Sequence, residues 1–195
     1  MKKLLFSLAL IISCIACNNN PKNEAKVDQP TREKKSEQNE PTFGIVIHGG
    51  AGTILKENMT PEKEEAYKTK LKEAIAVGHE ILKNGGTSLE AVQKTINVLE
   101  NSPLFNAGKG AVFTNAGTNE LDASIMDGSN LNAGAVAGVT VVKNPINLAM
   151  EVMLNSPHVL LSGKGAEQFA KERNLEIVES QYFYTEDRFK ALEQV

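Results

Sequence analysis

Three stretches of the sequence set groups that do chemistry close together. In "FGIVIHGGAG" a histidine and three glycines, His48 to Gly52, follow an apolar run. Bare glycine N–H groups beside a histidine suit a phosphate cradle or an oxyanion loop. In "LDASIMDG", Asp122 and Asp127 offer two carboxylates for acid–base work, and "LSGKGAE" offers Lys164 between two glycines. None of the three completes a known catalytic set. A P-loop needs a hydroxyl where Gly165 stands, and "GKGAVF" has Phe113 where a dinucleotide loop needs glycine. The lipase-type oxyanion loop needs a Gly-x-Ser-x-Gly elbow, which these 195 residues lack. His48, His79 and His158 are too scattered for a zinc site. Asp127 before Gly128 is ordinary turn chemistry, and a loop-capping role is the better reading for both aspartates.

The elements that must position these groups are read from periodicity. The run "FGIVI" predicts a buried strand entering the glycine loop. Thr60 and Pro61 open a helix whose stripe is Tyr67, Leu71, Ile75, Gly78 and Leu82, and Gly85-Gly86 stops it. Thr87 and Glu90 form a capping box for a second helix, with Leu89, Val92, Ile96 and Leu99 as its buried face. Leu121 to Met126 alternates as a strand, Asp127-Gly128 turns, and Ala133 to Val142 is a second strand of very small residues. Asn144-Pro145 opens a helix ending before Pro157; "HVLL" is a short apolar run, and "AEQFAKERN" is a last clear helix. The remainder, from Ile177, reads as irregular and surface-like. The order predicts a layered α/β body containing an antiparallel hairpin.

The amino terminus has a different texture. Lys2 and Lys3 precede an apolar run from Leu4 to Ile12 and then "CIAC", which predicts a signal over residues 1–16 with lipid on Cys17. Residues 17–42 are rich in Asn, Lys, Glu and Pro, a composition that cannot bury enough surface to order itself, and they read as a tether. The expected product is an exported bacterial lipoprotein, held at a membrane and facing the periplasm or the cell surface. Its body runs from residue 43 to 195. Both cysteines, Cys14 and Cys17, lie ahead of the body, which excludes a disulfide or a cysteine nucleophile within it. The net charge of −3, with signs mixed along the tether, gives no nucleic-acid surface.

The series "IVIHGGAG", "GGTSLEAVQKTINVLENSPLFNAGKGAVF", "ELDASIMDG", "AGAVAGV", "NPINLAMEVMLNSPHVLL" and "GKGAEQFA" resembles the amino-terminal half of plant-type asparaginases, also called isoaspartyl peptidases. The resemblance covers the body in order. It implies an N-terminal-nucleophile hydrolase: a four-layer αββα sandwich, made as a precursor that cuts itself before a threonine into α and β subunits. The residues here would be the α-subunit portion, and an (αβ)2 assembly is implied. The freed threonine attacks L-asparagine or a β-aspartyl peptide with its own α-amino group as base. That threonine is expected downstream of Val195, so no catalytic nucleophile is assigned in this chain. Thr114, Thr118, Thr140 and Thr185 lie in other contexts.

By motif, Asn106 in "FNAG" and His48, Gly49 and Gly50 would support the nucleophile and its maturation. The loop "LENSPLFNAGKG" resembles one that wraps a structural sodium ion, here through the main-chain carbonyls of Leu99, Glu100, Ser102, Phe105, Ala107 and Lys109. No cofactor for catalysis is implied. Glycosylasparaginases share "LDA-x-I-M-D" and "SPHV" but typically lack "HGGAG" and "FNAGKGAVF"; a taspase-like protease is more distant. A reading of another class is a truncated lipoprotein that only binds or scaffolds.

Overall fold

A computed structural model describes residues 42–50 and 56–194. The signal reading, Cys17 and almost all of the tether lie outside the described residues, as do Ala51 and Gly52. Among the described residues no helix is long and apolar enough to cross a membrane.

Helix α1, Pro61–Lys83, and helix α2, Ser88–Glu100, form a hairpin. Thr60 Oγ1 accepts the Lys63 N–H, and Thr87 Oγ1 accepts the Glu90 N–H, so each predicted cap satisfies one orphan donor. The helices close on Gly78, where a Cβ would strike both the Thr95 hydroxyl and Ile45. Consequently the buried line of α2 is Ala91 and Thr95, and Val92 is 39% exposed. The predicted Leu89–Leu99 face is therefore only half covered, because the glycine in α1 draws a neighbouring face of α2 inward.

Strands β1, Leu121–Met126, and β2, Ala133–Val139, pair antiparallel as predicted. Helix α3, Pro145–Asn155, then crosses to strand β3, Leu160–Ser162, which pairs parallel with β2. Thus "HVLL" contributes a short strand, and the sheet order is β1-β2-β3. Leu121, Ile125, Val136 and Val139 face α3 in a core with Ile146, Leu148, Ala149 and Val152. Gly134 lies so close to α3 that a Cβ would overlap the Ala149 carbonyl.

Strand β2 ends three residues earlier than Val142. Gly138 takes φ +62° at a bulge, and Thr140 turns its N–H and hydroxyl to Glu167 Oε1 at 2.7 and 2.8 Å. The Gly138 N–H donates to Asp122 Oδ1 at 2.8 Å, so Asp122 pins the bulge. Asp122→Ala is expected to lose about 1 kcal/mol of stability, the usual net worth of one such bond. Equal denaturant midpoints for variant and parent would refute this.

Helix α4, Gly163–Glu172, starts earlier than expected and absorbs the "GKG" glycines into its first turn. A 3-10 turn, Ser180–Phe183, and helix α5, Glu186–Leu192, complete the body. The tail is not all surface: Phe183 is fully buried, and Val178 packs on the core. A sheet covered by α3 needs further apolar side chains at its margin, and the tail supplies them.

The predicted strand "FGIVI" takes no ladder. Residues 43–50 alternate in burial yet carry no strand pairing among the described residues, and Val46 is 94% exposed. Backbone of strand pattern becomes strand only beside a partner.

Candidate functional site

The glycine loop and the "LFNAG" loop meet over α1. Gly49 sits against Leu71 and Phe105; a Cβ there would lie 3.0 Å from Leu71 Cδ2 and 3.7 Å from Phe105 Cε1. Phe105 in turn packs edge-on against Tyr67, whose hydroxyl donates to the Leu104 carbonyl at 2.7 Å. His48 is exposed and uses Nδ1 to accept the Gly50 N–H at 3.2 Å, while Gly50 takes φ +107°. That φ suits glycine and few other residues. The histidine therefore shapes its own turn.

Asn106 Oδ1 accepts the Val112 N–H at 2.9 Å, bridging a turn whose floor is the 3-10 segment Gly108–Gly110. This floor is tight. Gly108 takes φ +52°, a Cβ there would overlap the Glu100 carbonyl, and a Cβ on Gly110 would overlap the Phe105 carbonyl. Asn119 Nδ2 closes the far side by donating to the Ala111 and Val112 carbonyls at 3.0 and 3.1 Å. The structure thus brings Gly49 and the Asn106 loop together through Phe105, and leaves Asp122 and Asp127 as structural groups elsewhere. The Ser129 hydroxyl and N–H hold the Asp127 carboxyl below its usual range, which suits a turn acceptor and not an acid.

A hard cation takes oxygen donors with free lone pairs. The carbonyls of Leu99 and Ala107 accept backbone N–H groups from Ser102 and Gly110. Those of Glu100, Ser102, Phe105 and Lys109 accept no protein hydrogen bond among the described residues. Oxygen lone pairs so left over are the donor chemistry that sodium takes, so the loop fits. Among the described residues no group of three His, Cys, Asp or Glu side chains is placed to hold a metal ion.

Two residues with large roles escape a sequence reading. The Glu100 side chain is 3% exposed, and Oε1 accepts the Ile146 N–H at 2.9 Å. Its Oε2 accepts Nδ2 of Asn144 at 3.0 Å and, more loosely, Nδ2 of Asn97 at 3.5 Å. Burial pushes its carboxyl up to about 7, while those donors pull it back down. The only available signal was negative: α3 opens with Pro145 and carries no acidic residue in its first turn. Arg188 is the second; its Nε donates to the Gly110 carbonyl at 2.8 Å across 78 positions.

Beside the site, the unpaired segment Ile45–His48 and the half-covered face of α2 bound an apolar groove of 190 Å³ that reaches Val92, Ile96 and Leu99. Across the sheet face opposite α3, Ala133, Ala135 and Ala137 stand in register with Met126, Ser124, Leu160 and Ser162, a shallow surface of small side chains. No layer covers that face among the described residues.

The chain is similar in sequence to several known proteins. The chain is 47% identical over 148 residues to an isoaspartyl peptidase of Salmonella typhimurium, covering 76% of this chain and 47% of that protein. It is 51% identical over 127 residues to a plant-type L-asparaginase of Pyrococcus horikoshii, covering 65% and 40%. A Dictyostelium discoideum protein that carries the isoaspartyl peptidase/L-asparaginase name provisionally is 55% identical over 148 residues, covering 76% and 43%. The chain spans less than half the length of these curated relatives. The family model described as asparaginase matches residues 40–195, and the chain belongs to that family of hydrolases.

Proposed function

We propose that residues 43–195 are the α-subunit portion of a self-cleaving threonine amidohydrolase that releases ammonia from L-asparagine and opens β-aspartyl peptide bonds. The observation that carries this reading is the pairing of Gly49 with the Asn106 loop, in a chain matching the asparaginase family over 40–195. The nucleophile comes from the downstream β portion. Its hydroxyl attacks the side-chain carbonyl of the substrate as its own amino group takes the proton. The C–N bond then breaks, that proton leaves with the ammonia or peptide amine, and water hydrolyses the acyl ester to free aspartate and restore the threonine. In this chain the His48–Gly50 turn gives the scissile segment room to approach, and Asn106 stands by with its amide. Sodium, when bound, supplies a fixed positive centre, held by the carbonyls of Leu99, Glu100, Ser102, Phe105, Ala107 and Lys109.

The groove beside Ile45–His48 and the alanine-lined sheet face are where a β portion would add a neighbouring strand and a second sheet, which makes the four-layer sandwich. Cleavage before Cys17, lipid on its thiol, export and an (αβ)2 assembly belong to the same proposal.

The full-length gene product is expected to run as two bands on a denaturing gel and to release ammonia from asparagine. Alanine in place of the threonine that opens the β portion is expected to leave one band and abolish turnover. Normal cutting in that variant would overturn the mechanism. An uncut, inactive parent would favour a scaffold.

A further inference from the structure

We propose that Arg188 is a positioning residue, and that the tail from Ser180 to Leu192 is a brace for the Asn106 turn. The inference rests on the proposed function insofar as Asn106 belongs to the maturation machinery. The tail touches the turn at three successive points. Lys109 Nζ lies 5.3 Å from the centre of the Tyr182 ring. Arg188 Nε donates to the Gly110 carbonyl at 2.8 Å. The Phe113 ring packs edge-on against Tyr184 and Phe189 at 5.8 and 5.7 Å, and those two rings close the triangle at 5.6 Å.

The braced stretch is the one Asn106 leans on. Val112 lies between Gly110 and Phe113, and its N–H is the donor to Asn106 Oδ1 at 2.9 Å. A shift of Gly110 therefore moves the group that orients the Asn106 amide. The other end of the brace is rooted in the core, because Phe183 has no exposed surface. Helix α5 has seven residues, too few to hold itself together, so its order derives from these contacts. A charged donor on a half-buried carbonyl is the strongest of them. The solvent side of α5 does something else: Lys190 pairs with Glu186 at 3.3 Å, both 61% exposed.

The test compares Arg188→Ala, Arg188→Lys and Lys190→Ala in the full-length gene product. Arg188→Ala is expected to speed hydrogen exchange at the Val112 amide about tenfold, the worth of one charge-assisted bond, and to slow precursor cutting by a similar factor. Amides of β1 and β2 keep their protection. Arg188→Lys, which retains one donor, restores part of both effects, and Lys190→Ala behaves as the parent. Unchanged Val112 exchange in Arg188→Ala, or an equal rise at every amide, overturns the proposal. If the parent is never cut, the proposed function fails, and the exchange at Val112 still decides the brace.

Discussion

Gly110→Ala is expected to destabilise the body by about 3 kcal/mol or more, at the upper end of what overpacking does. Gly110 needs no unusual φ, so the penalty is steric. The added methyl would overlap the Phe105 carbonyl and lie 2.6 Å from the Pro103 carbonyl, and both obstacles are backbone. A flexible side chain could swing aside, but here the loop itself must move. Relief would push Phe105 away from Gly49 and Tyr67, and would pull the Gly110 carbonyl from Arg188. Urea unfolding measures the loss. Gly128→Ala is the control, since a Cβ there meets nothing within 4 Å. In the full-length gene product the same variant is expected to accumulate uncut chain. Equal midpoints for the two alanine variants would show that the loop is not packed as described.

Signals that act within a few residues were legible in the sequence. The Thr60-Pro61 start, the Thr87 cap, the Gly85-Gly86 stop and the β1–β2 hairpin each depend on neighbours in the chain, and each is found where the residues put it. What failed depends on partners far away or outside these residues. The Leu89–Leu99 stripe was read correctly as apolar, but Gly78 in another helix decides which side of α2 faces inward. The "FGIVI" run has strand composition and no ladder to join among the described residues. Strand β2 stops at Val139 because Thr140 turns its N–H and hydroxyl to Glu167, a residue 27 positions away.

The site was legible in the same uneven way. Gly49, Gly50 and Asn106 were named from the family resemblance, and the structure sets Gly49 against Phe105 and Asn106 on the Val112 N–H. The groups that hold them were not. Tyr67, Asn119 and Arg188 grip main-chain carbonyls, and a carbonyl leaves no mark on the sequence.

Glu100 extends that argument and gives the second large effect. Helix α3 starts at Asn144-Pro145, and the Asn144 side chain makes no cap for its own helix. The first-turn N–H of Ile146 takes its acceptor from Glu100, 46 positions earlier. Glu100→Ala would leave that N–H, and the Asn144 and Asn97 amides, without the carboxylate. Asn144 Nδ2 keeps Asn101 Oδ1 and Asn97 Nδ2 keeps Asn147 Oδ1, each at 3.0 Å, so the Ile146 N–H is the donor left orphaned, at a cost of roughly 1–3 kcal/mol. The gain from no longer burying a carboxyl whose pKa is raised to about 7 offsets part of this. The net expectation is a loss of about 1–2 kcal/mol. Glu100→Gln keeps an acceptor for Ile146 but turns an NH2 group toward Asn144, so it should fall between alanine and the parent. Combining Glu100→Ala with Asn144→Ala should reveal a coupling of about 1 kcal/mol or more, since the two share a 3.0 Å bond. Strict additivity, or a Glu100→Ala variant as stable as the parent, would contradict the capping role. The main chain of the same residue forms the wall against which Gly108 is pressed. Thus one residue ties α3 through its carboxylate and the Asn106 loop through its backbone, and losing the carboxylate should loosen that loop as well as α3.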